Sequence, residues 1–281
     1  MSWRPASVGN EQRLVAFLCR DEVRCAGASA RVKAGERGCT AFVEEAAGAI
    51  RGALVATAAG LVLPVLPEGI GDRLGLAGLL GGLHMPVHSI GGPETGVAAV
   101  ESVMPLPPTT RIEYRLMQLA RPAWAGAAVH ASAAAAAEGV RVRRSGGADA
   151  ALLFPLQRAY ELEEVVIDPA LFSDAACLKL LRQGLRTELV FHATRDGRPL
   201  AKAGTNARGY GVDQIGGVFT VASERGKGLA RIVMAALLEA IFAEKPAACL
   251  FVKKSNAPAI ALYERLGFTT VGGYVISYYG I

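Results

Sequence analysis

Residues 215–230, IGGVFTVASERGKGLA, carry the most specific chemistry in the chain. A β-rich run from Ile215 to Val221 leads into a polar turn with Gly226 and Gly228, and an apolar-periodic helix follows. A helix that starts at the end of a strand leaves its first backbone N–H groups unpaired. Those groups and the positive end of the helix dipole attract phosphate. Both glycines lack a Cβ, so a ligand can approach the main chain closely. Arg225 and Lys227 add positive charge. Two common phosphate motifs are excluded. A P-loop would place Lys and Ser/Thr after its last glycine, where Leu229 and Ala230 stand. A dinucleotide fingerprint would need a third glycine, where Arg231 stands.

A second strand–helix unit follows. The strand Cys249 to Val252 runs into Asn256-Ala-Pro-Ala-Ile-Ala-Leu-Tyr263-Glu-Arg-Leu-Gly267-Phe268. The segment Arg225-Gly226-Lys227-Gly228-Leu229-Ala230 has the form R-x-x-G-x-A, and the downstream segment has the form N-x6-Y-x3-G-F. In this order they resemble the signature of the GNAT superfamily of acetyl-CoA-dependent N-acyltransferases. The resemblance covers residues 139–281, about half the chain. It implies that Arg225, Gly226, Lys227, Gly228, Leu229 and Ala230 hold the pyrophosphate of acetyl-CoA. It implies a backbone oxyanion donor near Phe219, Thr220 and Val221, at the end of a splayed strand. It makes Tyr263 the acid that protonates the departing thiolate. Asn256 either fixes the cofactor arm or caps its helix. Packing beside Phe268 is the structural alternative for Tyr263.

The attacking amine also needs a base, and here the family gives little help. On a helical projection of the stretch after Asp149, Leu152, Leu156, Ala159, Glu163 and Val166 share a stripe. This places Glu163 on an apolar face, where a carboxylate would have a raised pKa and could serve as base. Glu164 and Tyr160 lie at the edge of the stripe. The alternative is a buried Glu163 paired with Arg182 or Arg186.

The remaining chain must position these groups. After the first strand, Val140 to Arg144, helices are expected over Asp149 to Val166 and Ala175 to Gly184. A hairpin joins Leu189–Ala193 to Leu200–Asn206. The long helix Leu229 to Ala243 places Leu229, Val233, Leu237 and Ile241 on one face, and Thr270 to Tyr278 is the last strand. The N-terminal half repeats this order. It reads as a helix over Glu11 to Lys33, strands Cys39–Glu44, Ala49–Ala56 and Gly60–Leu66, and a helix Leu74–Leu83. A short strand Val87–Ile90 broken by Gly91-Gly92-Pro93, a helix Glu94–Met104 and a strand Thr109–Leu119 complete it. Pro67 to Asp72 stands where the phosphate loop would be, without its arginine.

The reading is therefore an α/β chain of two tandem GNAT-like domains, each a mostly antiparallel sheet splayed at the cofactor strand. The N-terminal domain, residues 1–122, is degenerate; an Ala-rich linker spans 123–138, and the catalytic domain is 139–281. Specificity is expected from the Leu153 to Val166 helix, the Gly204 to Gly216 hairpin and the N-terminal domain. The implied activity is acetyl transfer from acetyl-CoA to a primary amine, small-molecule or peptide, through a tetrahedral intermediate. A non-catalytic acyl-CoA-binding sensor would also keep the phosphate loop.

Composition agrees. The chain carries 30 Lys/Arg and 25 Asp/Glu, and residues 1–138 hold 12 of each sign, so the whole excess lies in the half with the phosphate loop. That suits a polyanionic coenzyme. No dense basic run suggests nucleic acid. No apolar run reaches the roughly 18 residues of a membrane span, and MSWRPASVGNEQR has no apolar leader segment, so a cytoplasmic location is expected. The five cysteines form no C-x-x-C pair and read as reduced thiols. His84 and His88 flank Pro86 with no acidic or cysteine neighbour, so no metal site is expected.

Overall fold

A computed structural model describes residues 3–7, 9–66, 72–124 and 139–280. Both halves have the same element order. The first half runs β1 (Trp3–Pro5), α1 (Glu11–Cys19), α2 (Glu22–Ala34), β2 (Cys39–Ala46), β3 (Ala49–Thr57) and β4 (Leu61–Val65). It continues with α3 (Arg73–Gly81), β5 (Ser89–Pro93), α4 (Glu94–Glu101) and β6 (Thr110–Ala120). The second half runs β7 (Arg141–Arg144), α5 (Ala150–Tyr160), α6 (Asp174–Thr187), β8 (Val190–Arg195), β9 (Arg198–Arg208) and β10 (Val212–Thr220). It ends with α7 (Leu229–Glu244), β11 (Ala247–Lys253), α8 (Ala257–Arg265) and β12 (Thr269–Tyr278).

The strands form one 12-stranded sheet in the order β1-β2-β3-β4-β5-β12-β6-β11-β10-β9-β8-β7. The halves exchange their last strands. β6 lies against β11 of the second half, and β12 lies against β5 of the first. β6 and β12 pair antiparallel at the centre, from Thr269↔Gln118 to Tyr278↔Thr110. Phe251 and Tyr274 stack there at 4.4 Å. Among the described residues, only β4/β5 and β10/β11 are parallel pairs.

Local sequence accounts for most elements. α7 buries Leu229, Val233, Leu237 and Ile241 completely, on the face expected from their spacing. α6 starts at Ser173, whose hydroxyl accepts from the Ala176 N–H, and α8 starts at Asn256, whose side chain accepts from the Ala259 N–H. Three expectations change. The helix expected over 11–33 divides at Arg20-Asp21 into α1 and α2. Leu14 and Leu18 of α1 pack under β3, whereas α2 also turns Glu22 toward the second half. Strand β5 does not stop at Gly91-Gly92-Pro93 but runs through it. Gly91, Gly92 and Pro93 all pair with β12, opposite Ile276, Val275 and Tyr274, so the long-range ladder overrides their turn composition. The hairpin between β9 and β10 belongs to the seam between halves, at the end of β10 away from the phosphate loop.

That seam is polar and closed. The Glu22 carboxylate is buried and accepts from the backbone N–H of Tyr210 (2.6 Å) and Gly211 (2.7 Å) and from the Ser29 hydroxyl. Lys33 donates to the Gly209 carbonyl, and Lys245 to the carbonyls of Gly209 and Tyr210. Glu22→Ala leaves two partly buried amides without their acceptor. We expect it to lower stability by about 2–4 kcal/mol, read as a lower urea midpoint; an unchanged midpoint would show that water replaces the carboxylate.

Candidate active site

The parallel ladder between β10 and β11 runs from Val212↔Ala247 to Ile215↔Leu250 and ends there. Beyond Ile215 the strands part, and the end of β10 borders an open gap. β10 also carries a bulge in this stretch. Its register with β9 slips between Gly216 and Phe219, and Gly217 has φ +62°. That φ favours glycine, and a Cβ there would stand 2.9 Å from Lys202 Nζ and push the ammonium aside. The Val221 N–H donates to the Leu200 carbonyl at 2.9 Å. Antiparallel alternation then turns the Phe219 N–H toward β9 and the Thr220 N–H away from it, into the gap. Of the three expected oxyanion donors, Thr220 therefore turns its amide toward the gap. Its side-chain oxygen is buried and has no partner among the described residues.

The phosphate loop follows directly. Gly226 and Gly228 have φ +79° and +80°, and an added Cβ on either would meet nothing within 4 Å. Gly228 occupies the N-cap position of α7 with no side-chain cap, so the amides of its first turn are free of one. Leu229 anchors the loop in the core, and Ala230 keeps the first turn small. Arg225 lies over the Phe219 ring at 5.4 Å, donates to the Thr220 carbonyl, and is paired with Glu163 through both carboxylate oxygens at 2.7 Å. Lys227 is paired with Glu224 at 3.2 Å. Both cations are about half exposed, so each pair is worth only about 0–1 kcal/mol and yields readily to a stronger anion. Open space, free amides and two displaceable cations fit a pyrophosphate.

On the other side of the gap stands α8. Asn256 caps it and also faces the Glu164 carboxylate at 3.4 Å. Tyr263 is buried, with its ring edge-on to Phe268 at 6.0 Å. Burial, then the neighbouring Tyr160 and Glu164, push its hydroxyl above the usual phenol range. Glu164 is bound by Lys253 at 3.1 Å. It thus connects the end of α5 to β11 and α8.

Glu163 lies elsewhere than expected. The buried residues of α5 are Ala150, Leu153 and Leu156, while Ala159 is exposed. The stripe through Leu152 and Ala159 is therefore not the inward face. After Tyr160 the helix widens into a π-turn, Glu161–Val165, in which the Val166 N–H reaches back five residues to Glu161. Glu163 is 45% exposed and pairs with Arg225, not with Arg182 or Arg186. The apolar setting expected for it is absent.

Lys202 of β9 is the residue that sequence patterns missed. It is 4% exposed, sits opposite Phe219, donates to the Gly217 carbonyl at 2.9 Å, and lies 4.5 Å from the centre of the Tyr160 ring. Burial lowers its pKa to about 8, against the charges of Glu161 and Cys177. The signal in sequence is a single lysine inside an otherwise apolar strand, LAKAG. Next to it on β8, His192 is fully buried, hydrogen-bonded to Ser145 at 2.7 Å and, through burial, held below the usual imidazole range.

The gap beside a bulged strand, the glycine loop at its end and the tyrosine helix beyond it lie together in the C-terminal half. Residues 155–268 match the model of the acetyltransferase (GNAT) family. No curated protein matches the chain. Among solved structures, a Drosophila protein aligns at TM-score 0.68 and 12% identity, over 99% of this chain and 98% of its own. A tandem GNAT protein from the clavulanic acid biosynthesis pathway aligns at TM-score 0.58 and 15% identity, over 100% and 99%. A GCN5-related N-acetyltransferase-like protein from Streptococcus suis aligns at 0.58 and 14%, over 97% and 100%. At these identities the alignments establish fold, and they do so across both halves: the chain is a tandem of GNAT-like units. Among the described residues no group of His, Cys, Asp and Glu could hold a metal ion, and no helix is long and apolar enough to cross a membrane.

Proposed function

We propose that the C-terminal half transfers the acetyl group of acetyl-CoA to a primary amine, of a small molecule or a peptide, by direct attack. The observation that carries this reading is the alignment of three features along one gap: the Thr220 amide, the uncapped start of α7 at Gly228, and Tyr263 of α8. The loop Arg225 to Ala230 holds the pyrophosphate, and Asn256 lies beside the pantetheine arm. The acyl group supplied by the coenzyme is activated as a thioester. Thr220 N–H stabilises the oxyanion that develops on its carbonyl. Tyr263 donates its proton to the sulfur as the C–S bond breaks.

Glu164, rather than Glu163, would take the proton that the acceptor ammonium must lose before its nitrogen can attack; it lies between α5 and α8, beside Asn256 and Lys253. Glu163 serves the phosphate loop, where it occupies Arg225 until an anion displaces it. A screen of amines with acetyl-CoA, reporting free thiol, tests the reading. Thiol release that depends on an amine supports transfer. Tight acetyl-CoA binding with no release beyond hydrolysis across a broad amine library would favour a sensor instead.

The chain should bind one coenzyme. In the first half the matching loop, 67–71, lies outside the described residues, but the helix behind it does not. Asp72 caps α3, its carboxylate accepting from the Gly75 N–H at 2.7 Å. A carboxylate therefore occupies the position that a phosphate would need. Calorimetry should give one acetyl-CoA per chain, and a value of two would show that the first half retains a site.

A further inference from the structure

Gly217 is the extra residue of the β10 bulge, and side chains meet both of its polar groups. The Lys202 ammonium donates to its carbonyl at 2.9 Å. Its N–H faces the Tyr160 hydroxyl, where it opposes the burial and the Glu161 charge that push that phenol up to about 12. Lys202 and Tyr160 also touch each other, ammonium over ring, at 4.5 Å. The Tyr160 ring packs edge-on against Phe219 at 6.1 Å. β9 and α5 thus converge on one residue, three before Thr220.

A strand position facing two packed helices is ordinarily apolar, and burying an ammonium there costs stability. A hydrophobic residue would fill the same space at less cost. The lysine is explained if the carbonyl that it binds must stay in one direction. Gly217 at φ +62° has easy access to other backbone states, because glycine moves freely between them. Without a fixed bulge, the alternation that turns Thr220 N–H into the gap would be lost, since one residue of slip reverses every group.

We propose that Lys202 and Tyr160 are positioning residues for acyl transfer, clamping Gly217 so that the β10 bulge presents the Thr220 amide to the thioester carbonyl. The inference rests on the acetyl-CoA reading given above. Neither side chain needs to touch the reacting atoms. The ionisable groups around the ammonium are Tyr160 of α5, Glu161 of the π-turn, Cys177 of α6 and His192 of β8.

The test uses the full chain with Tyr160→Phe, which removes one hydroxyl, and Lys202→Met, which keeps the stem. Three quantities are measured: affinity for coenzyme A, which has no acyl carbonyl; kcat with the best amine; and the carbonyl stretch of bound acetyl-CoA labelled with ¹³C at the carbonyl. Both variants should bind coenzyme A like the wild type. Lys202→Met should lower kcat by about tenfold or more, less than the full loss of an oxyanion donor. In both variants the carbonyl band should move to higher frequency, toward its value in free acetyl-CoA. The double variant should lose less than the product of the single effects, because both act through Gly217. If Lys202→Met fails to fold, the Tyr160→Phe band and kcat decide alone. A wild-type carbonyl band and wild-type kcat in the folded variants would overturn the clamp and leave the transferase reading intact. Failure of the wild-type chain to bind acetyl-CoA would overturn the transferase reading itself, and the clamp with it.

Discussion

Tyr263→Phe should keep the fold and the affinity for acetyl-CoA and lower kcat by about 10²- to 10⁴-fold, the usual worth of a positioned general acid. The argument begins with packing. Tyr263 belongs to the core of the C-terminal half and meets Phe268 edge-on. Phenylalanine retains that contact and removes only the hydroxyl. The hydroxyl lies within the influence of Glu164 and Tyr160, beside the gap where β10 leaves β11. Burial comes first among the causes that raise its pKa, so it remains protonated well past neutral pH. A proton held that firmly is released only as negative charge grows on the sulfur. The alkaline limb of the kcat profile should therefore not fall within the ordinary phenol range, near pH ~10, on account of Tyr263. The assay needs saturating acetyl-CoA, the best amine and a demonstrated chemical step as the slow one. A kcat within about twofold of wild type under those conditions would leave Tyr263 with packing alone.

Where sequence and structure part, long-range pairing is the usual cause. Strands β2, β3, β8 and β9 and helix α7 follow from alternation, turn residues and helical spacing, which are local properties. The phosphate loop is legible for the same reason, since Gly226, Gly228 and the start of α7 adjoin one another in the chain. The exchange of β6 and β12 between halves leaves no such trace: Leu119 must find Ala248, and Val275 must find Gly92, across long stretches of chain. Gly91-Gly92-Pro93 has the composition of a turn, and its pairing with β12 makes it a strand. Glu163 illustrates a different limit. Leu152, Leu153 and Phe154 are all apolar, so spacing alone leaves the phase of α5 open, and the π-turn after Tyr160 then departs from 100° per residue. Lys202 was hidden because its meaning depends on Gly217, fifteen residues away on the neighbouring strand.

Gly228→Val should abolish measurable acetyl-CoA binding while the chain remains folded. Gly228 sits at the N-cap of α7 with φ +80° and open space over its α-carbon. That space is where a phosphate must lie to reach the first amides of the helix. A valine there would fill it. The same substitution also strains the backbone, by about 1–3 kcal/mol for a residue held in the left-handed region. The two effects need separating, and Arg225→Met provides the comparison. Arg225 has an ordinary extended backbone, φ −65° and ψ 152°, so its substitution leaves the loop unstrained. It removes a guanidinium whose present partner, Glu163, is half exposed and easily displaced. A charge-assisted contact to phosphate is worth about 1.5–3 kcal/mol, so Arg225→Met should weaken binding by roughly 10- to 150-fold. Gly228→Val should exceed it, because it blocks the helix amides as well as the approach. Calorimetry on both variants, with thermal unfolding as a check on the fold, reads the difference. Unchanged affinity in a folded Gly228→Val variant would move the phosphate away from the start of α7. Loss in Gly228→Val with no loss in Arg225→Met would leave the phosphate on the helix amides and confine Arg225 to its contacts with Phe219 and Glu163.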